Sequence, residues 1–301
     1  MEKDYTQSKA VVREGRLELL LFFLEGGQPF GINVLKVKEI FPSPRLNEMP
    51  MSHPSVIGVT ELRGSTIPVI DLALALGRSP IQDRSTASVI VTEFNRSFQG
   101  FLVAGVDRII EKEWKNVTSP PKGSGRHVYI SGVTEFSDRM IQILDLERIL
   151  YEVLPPKDFE AEFTIDDAVG LEAKGAKVLV ADDSAIARGQ TVKTLDRIGA
   201  TYAVARDGRE ALTYLKGLVE KGVNVKEEVS MVISDIEMPE VDGYTLCKEI
   251  RRDPALAELY VLLHTSLNGS ISHEQAEKAG ADAILTKFVP SELAKAVIAG
   301  L

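Results

Sequence analysis

Four short apolar segments in the second half of the chain, each ending in a polar side chain, constrain the fold most. They lie at residues 178–180, 231–233, 260–263 and 283–285. Short segments without charge are typical of strands buried on both faces of a parallel sheet. The polar residues after them are Asp182 with Asp183, Asp235, Thr265 and Lys287. Because open α/β sheets bind ligands at the carboxyl ends of their strands, we expect these side chains to share one pocket.

The three aspartates predict a metal site. Carboxylates held close together repel and raise each other's proton affinity, and a bound hard cation relieves this repulsion. Mg²⁺ suits the site, because it accepts one or two carboxylates and leaves positions for water and phosphoryl oxygens. Taken singly, Asp235 also fits a loop cap, Asp182 and Asp183 fit a helix N-terminus, and Lys287 fits a surface lysine. The combination of all four favours the shared pocket.

In this order the residues resemble the receiver domain of two-component response regulators, over residues 175–301. The separations of 30 residues from Asp235 to Thr265 and 22 from Thr265 to Lys287 fit that family. The resemblance implies that Asp235 is the phosphoacceptor. It also implies that Lys287 pairs with the phosphoryl group and that Thr265 is the switch hydroxyl.

The same resemblance implies a set of Mg²⁺ ligands. Asp183 and Asp235 would bind the ion directly, Asp182 through water, and Glu237 through its backbone carbonyl. Glu237 and Leu267, each two residues past a site residue, would influence the lifetime of the phosphoryl group.

The chain departs from the receiver family at three places. Ile284 stands where an aromatic residue normally reports phosphorylation, and Phe288 replaces the proline that normally follows the lysine. The usual aromatic rotation and the usual cis bond are therefore not implied here. An insertion at residues 217–228 also separates the second helix from the third strand, without a predicted function.

The first half of the chain is predicted to be rich in β-strands. Strands are expected at residues 16–24, 29–34, 55–62, 67–71, 87–94, 98–104, 127–132 and 140–144, with turns at 26–28, 95–96 and 136–138. Many short strands separated by turn residues favour a barrel or sandwich. A short helix is predicted at 34–41. A closing helix places Leu146, Ile149, Leu150 and Val153 on one face and ends at Pro155.

Residues 30–40 and 58–72 resemble the CheW family of chemotaxis coupling proteins, and the likeness spans residues 14–153. That family consists of twin small β-barrels that tie receptors to the histidine kinase. The resemblance implies partner binding at Val37, Glu39, Gly58 and Arg63, with Glu61 where the family has asparagine. On physical grounds alone, Arg63 at a turn tip suits either a partner contact or a solvated charge.

Together the segments predict a multi-domain chain: a CheW-like domain at 1–154, a linker at 155–174 and a doubly wound α/β receiver at 175–301. This arrangement resembles the CheV type of coupling protein. It implies a cytoplasmic, non-enzymatic adaptor that docks between chemoreceptor tips and the histidine kinase, and accepts a phosphoryl group from that kinase. The effect is either adaptation or a phosphate sink, and the sequence favours neither.

Composition argues against other classes of function. The net charge of −9 divides into −1 for residues 1–156 (18 basic, 19 acidic) and −8 for 157–301 (17 basic, 25 acidic). Neither half has the basic patch that nucleic-acid binding requires, so such binding is disfavoured. The apolar stretch from Leu19 to Leu24 is too short to span a bilayer. The single cysteine, Cys247, excludes an internal disulfide and fits a packed apolar group.

Two alternatives to a phosphorylated adaptor stay open. A phosphatase of the haloacid-dehalogenase type also forms an aspartyl phosphate, although its Asp-x-Asp loop would here be Asp235-Ile236-Glu237, after a strand in mid-domain. A receiver that acts as a scaffold without phosphorylation is the other, and the complete acidic set argues against it.

Overall fold

The computed structural model describes residues 16–50, 52–94, 97–118, 129–155, 173, 175–238, 240–266, 270–287 and 289–301, without the side chains of 270–272. The chain divides into two compact units, Met1–Pro156 and Lys157–Leu301. The predictions made for residues 95–96, for Leu267 and Phe288, and for almost all of the linker fall outside the described residues.

The first unit contains two five-stranded sheets, ordered β8-β1-β2-β10-β9 and β3-β6-β7-β5-β4. Its strands are β1 (Arg16–Phe23), β2 (Pro29–Asn33), β3 (Val37–Pro42), β4 (Val56–Leu62), β5 (Ser65–Asp71), β6 (Ser88–Phe94), β7 (Ser97–Val103), β8 (Gly105–Glu113), β9 (Ile130–Phe136) and β10 (Arg139–Leu144). Its helices are α1 (Leu72–Ala75) and α2 (Leu146–Val153).

Each sheet closes on itself through a bridge to its last strand. Asn47, in the chain that follows β3, pairs with Val59 of β4, and Thr118, after β8, pairs with Val133 of β9. Closure leaves no long free edge. The predicted twin small barrels are confirmed.

Strand β1 serves two cores, which explains why residues 19–24 carry no charge. Leu19 and Leu21 pack inside the first barrel with Ile141. The alternate residues Leu20 and Phe22 belong to the larger core that both sheets share. Because side chains alternate along a strand, the part of β1 that is buried on both faces is apolar at every position.

The unit is built from two similar repeats. Gly-Val-Thr-Glu occurs at residues 58–61 in β4 and again at 132–135 in β9. Each strand is followed by a two-residue turn with positive φ, at Arg63 (50°) and Gly64 (83°) and at residues 137 (50°) and 138 (57°). Such turns are the type I′ turns that match the twist of a hairpin. An aspartate then caps the following helix: Asp71 at the end of β5, and Asp145 directly after β10.

In this unit one sequence prediction is wrong and one strand was not predicted. Residues 34–41 form a single 3₁₀ turn, Val34–Lys36, and then β3, because β-branched Val37 and Ile40 pair with β6. Strand β8 was not predicted, because five of its nine residues are charged and its solvent-facing side hides the apolar alternation. The closing helix α2 is confirmed, with Leu146, Ile149 and Val153 buried.

The second unit is a five-stranded parallel sheet ordered β12-β11-β13-β14-β15. Its strands are β11 (Lys177–Ala181), β12 (Thr201–Ala205), β13 (Met231–Ser234), β14 (Tyr260–Thr265) and β15 (Ala283–Thr286). Its helices are α3 (Ala185–Arg197), α4 (Gly208–Glu220), α5 (Val225–Glu228), α6 (Gly243–Arg252), α7 (Ser270–Ala279) and α8 (Pro290–Ala299). The predicted doubly wound α/β fold is confirmed.

The insertion at residues 217–228 forms the end of α4 and the short helix α5. Val225 is buried, and Glu228 forms an ion pair with Lys177 at the start of β11 (2.9 Å). Lys226 pairs with Glu258, just before β14 (2.9 Å). The insertion therefore lies at the amino ends of the strands, away from the carboxyl ends where the polar residues lie.

Among the described residues, no helix is long and apolar enough to cross a membrane.

Candidate functional site

The predicted site residues lie at one edge of the sheet of the second unit. Asp182 and Asp183 follow β11, and Asp235 follows β13. Thr265 ends β14, and Lys287 follows β15. These strands are parallel and adjacent, so their carboxyl ends meet at the same edge.

Lys287 is the electrostatic centre of the site. Its Nζ lies 2.7 Å from Oδ2 of Asp182 and 3.0 Å from Oδ2 of Asp235. The residue is only 2% exposed. A lysine is almost never fully buried unless it is paired, because an isolated buried ammonium costs much desolvation energy. Two carboxylates supply that pairing here.

The second oxygen of each of these carboxylates is held by the backbone. Oδ1 of Asp182 accepts a hydrogen bond from the Ser184 amide (2.9 Å), and Oδ1 of Asp235 accepts one from the Ile236 amide (2.8 Å). Both carboxylates therefore have fixed orientations with Oδ2 towards Lys287. Asp183 is half-buried and is the most accessible of the three.

The three aspartates form a group suited to a divalent cation. Asp182, Asp183 and Asp235 each offer a carboxylate oxygen, and these oxygens lie within 4.8 Å of one another. Three carboxylates against one buried ammonium leave a net negative pocket made of hard oxygen donors. Mg²⁺ prefers such donors and needs few of them from protein. The residues present therefore fit the predicted ion.

Thr265 and Glu237 lie near the same sheet edge. Thr265 is buried, and its backbone carbonyl accepts a hydrogen bond from the Lys287 amide (2.8 Å), which joins the ends of β14 and β15. Glu237 is half-buried in the loop two residues after Asp235. Ile284 lies half-buried on β15.

Sequence reasoning missed two residues that shape the turn after β11. The Ser184 hydroxyl accepts a hydrogen bond from the Ala187 amide and caps α3. The Arg188 guanidinium donates to the backbone carbonyl of Asp182 (2.5 Å). The serine directly after two aspartates was a readable N-cap signal. The role of Arg188 could not be predicted, because its contact with the Asp182 carbonyl depends on where α3 begins.

The residues of the first unit that are predicted to bind partners divide into three near the β4–β5 turn and one, Gly58, that is buried. Arg63, at the tip of the β4–β5 turn, pairs with Glu39 of β3 (2.9 Å), and Val37 begins the same strand. Gly58 is buried, and a Cβ there would lie 2.5 Å from the carbonyl oxygen of Asn47. Its φ of 146° also favours glycine. Gly58 therefore shapes the barrel beneath this surface, while Arg63 and Glu39 are accessible.

Cys247 lies in the buried face of α6. Burial raises the pKa of its thiol to about 11, so the thiol is protonated at neutral pH. This agrees with the prediction of a packed apolar group.

Comparison with protein families divides the chain in the same way. The CheW-like domain matches residues 18–154, and the response regulator receiver domain matches residues 178–298. The chemotaxis protein CheV3 of Helicobacter pylori is 34% identical over 282 residues, which cover 90% of this chain and 89% of that protein. The chain belongs to the CheV family. It therefore combines a chemotaxis coupling domain with a receiver domain of two-component signalling.

Other relatives match the whole chain or its first half. The CheV2 protein of H. pylori is 28% identical over 309 residues, with 95% of each chain covered. A probable CheW protein of Rhizobium etli is 31% identical over 143 residues, which cover 47% of this chain and 92% of that protein. The two domain types matched in this chain, the CheW-like domain and the receiver domain, are regulator and scaffold types.

Proposed function

We propose that this CheV-family protein couples chemoreceptors to the histidine kinase, and that phosphorylation of Asp235 modulates the coupling. The observation that carries the proposal is the contact of Lys287 Nζ with Asp235 Oδ2 (3.0 Å), inside a pocket of three carboxylates. The partners are the kinase and the cytoplasmic tips of the receptors, so the protein acts in the cytoplasm at receptor arrays.

In the proposed transfer, an oxygen of Asp235 attacks the phosphorus of the kinase's phosphohistidine as the P–N bond breaks. Asp182, Asp183, Asp235 and the Glu237 carbonyl would hold Mg²⁺, which supplies positive charge for the phosphoryl oxygens. Lys287 supplies a second positive charge and directional donors. Phosphoryl transfer depends mostly on positioning and charge neutralisation, and these groups supply the types of interaction that the transfer requires.

Phosphorylation would then change the contacts of Lys287 and Thr265. Lys287 pairs with Asp182 and Asp235 in this structure, and new phosphoryl oxygens compete for its ammonium. The Lys287 amide is bonded to the Thr265 carbonyl, so a shift of either residue is passed to the ends of β14 and β15. A ligand that favours one of two arrangements shifts their populations, here at the face near Ile284.

The coupling surface is proposed to include Val37, Glu39 and Arg63, with Gly58 setting the barrel shape beneath it. In the ion pair of Glu39 with Arg63 the arginine is exposed and the glutamate is half-buried, and ion pairs that water reaches stabilise a fold little. Both charges are thus available to a partner at small cost. They suit the selection of a partner and the rate of association.

The test is phosphotransfer from the cognate kinase to the full-length protein. We expect alkali-labile phosphate on the wild type and on Asp253→Asn, and none on Asp235→Asn, which keeps the size of the side chain. All three should bind the kinase and receptors equally. Labelling of Asp235→Asn at the wild-type rate would refute the proposed acceptor.

Kinase assays in reconstituted receptor arrays separate the two outputs. If phosphorylation adjusts coupling, wild type and Asp235→Asn will set different steady kinase activities. If the receiver is only a phosphate sink, kinase activity will be equal and only the supply of phosphoryl groups will fall.

The phosphatase alternative is disfavoured on two grounds. The receiver family matches residues 178–298, and Asp235 follows β13, the third strand of its domain rather than the first. Sustained hydrolysis of a generic phosphate ester in Mg²⁺ would favour the phosphatase.

A further inference from the structure

We infer that the first residue of α4, Gly208, positions the loop that carries Asp235, and that its missing side chain is required for the site to form. The inference rests on the proposed function for its phosphorylation readout. Its metal-binding readout is independent of that proposal. Gly208 touches none of the reacting groups and is a positioning residue.

The loop from Ile236 to Gly243, of which residue 239 is not described, is joined into a ring by hydrogen bonds from later amides to the carbonyl of its first residue. The Ile236 carbonyl accepts hydrogen bonds from the Met238 amide (3.2 Å) and the Gly243 amide (2.9 Å). Asp235 directly precedes this ring and is anchored to β11 by its amide, which donates to Ala181 (2.8 Å). A shift of the ring therefore reaches Asp235 and the Glu237 carbonyl first.

The far side of the ring rests on α4. The Gly208 amide donates to the Val241 carbonyl (3.2 Å). A Cβ on Gly208 would lie 2.4 Å from that carbonyl oxygen and 3.0 Å from the Val241 Cβ. The obstruction is backbone, which cannot rotate away as the end of a flexible side chain can. Gly208 is therefore required for close approach and not for an unusual φ.

If a side chain were added, the loop would move and α4 would stay. Helix α4 is anchored by Ala211 and Leu215, which are fully buried. On the loop side, Glu240 has a φ of 64°, which is strained for a non-glycine residue, and its ion pair with Arg209 (2.9 Å) is largely exposed. An exposed pair contributes little, so it cannot hold the loop against a backbone clash.

The test compares two glycine-to-alanine changes in the same helix of the full-length protein. Gly208→Ala creates the clash, whereas Gly217→Ala adds its Cβ in open space. We expect Gly208→Ala to weaken Mn²⁺ binding, measured by EPR of the free ion, and to slow labelling by acetyl phosphate, each by about tenfold. Gly217→Ala should leave both within about twofold of wild type.

The outcomes distinguish this inference from the proposed function. If wild type is labelled neither by acetyl phosphate nor by the cognate kinase, the proposed function fails, while Mn²⁺ binding still tests the role of Gly208. If Gly208→Ala equals Gly217→Ala in Mn²⁺ binding, or loses only thermal stability, the positioning role is refuted.

A second pair of variants guards against misfolding of Gly208→Ala. Arg209→Glu places two carboxylates together at the same contact and should push the loop away from α4. We expect Mn²⁺ affinity to fall by about threefold and to recover in the Arg209→Glu, Glu240→Arg double variant. Unchanged affinity in the single variant, or no recovery in the double, would contradict the inference.

Discussion

Lys287 holds together two carboxylates that would otherwise repel, and this shapes the resting site. Its ammonium lies within 3.0 Å of both Asp182 and Asp235, and all three residues are buried. A buried ion pair is often no more stable than an apolar replacement of the pair, but removal of one partner leaves unpaired buried charge. The lysine therefore has a structural role in addition to its proposed role in phosphoryl binding.

Replacement of Lys287 by methionine should destabilise the receiver by about 3 kcal/mol in EDTA, because two buried carboxylates lose their counter-charge. Urea unfolding followed by far-UV circular dichroism measures this change. Added Mg²⁺ should restore more stability to the variant than to wild type. Lys278→Met is the control, since the pair of Lys278 with Glu274 is exposed and its loss should not change unfolding measurably. Equal stability of Lys287→Met and wild type in EDTA would contradict the prediction.

The members of the site could be predicted from the sequence, but most of their contacts could not. Asp182, Asp235 and Lys287 were predictable because each follows a short apolar strand, and parallel strands end at one edge. The sharing of Lys287 between two carboxylates depends on side-chain geometry that no spacing reveals. The pairing of Glu39 with Arg63 depends on barrel closure, which brings the two outer strands of one sheet together.

The strands that could be predicted are those that local sequence patterns mark. Most were placed within two or three residues, because alternation and turn residues both marked them. The prediction was wrong at β3, because the apolar spacing of Val34, Val37 and Phe41 also fits a helix. Pairing with β6 makes this segment a strand instead. Prediction failed at β8, where charged residues break the apolar alternation. The repeat of Gly-Val-Thr-Glu at 58–61 and 132–135 could have been read earlier and shows that the hairpins β4–β5 and β9–β10 are equivalent.

The turn of the β4–β5 hairpin should be sensitive to backbone conformation alone. Gly64 has a φ of 83° and open space around it, so Gly64→Ala introduces strain without a clash. We expect a loss of about 1 kcal/mol in the free energy of unfolding. Fluorescence of Trp114, the only tryptophan and part of this unit, reports the change.

Gly105→Ala is the matched control for that measurement. Gly105 also has open space around its Cβ position, but its φ is not positive. Alanine there should leave the unit as stable or slightly more stable, because the unfolded chain loses freedom. If both variants lose stability equally, conformational strain at Gly64 is not the cause.

For the whole molecule, the acidic site predicts a metal response confined to one unit. Mg²⁺ that binds only the folded receiver stabilises it by mass action, by about 2.7 kcal/mol when the ion is at a hundred times its Kd. In urea with Mg²⁺, the circular dichroism transition at 222 nm should move to higher urea, because most described helices lie in Lys157–Leu301. EDTA should reverse the shift.

The transition of Trp114 fluorescence should stay where it is under the same conditions. Trp114 belongs to Met1–Pro156, and the aspartates that would hold the ion belong to Lys157–Leu301. Asp183→Asn is the control, because it removes one accessible ligand and should abolish the shift at 222 nm without moving the Trp114 transition. An equal Mg²⁺ shift in both signals would mean that the units unfold as one or that the ion binds elsewhere. A shift that survives in Asp183→Asn would exclude this cluster as its source.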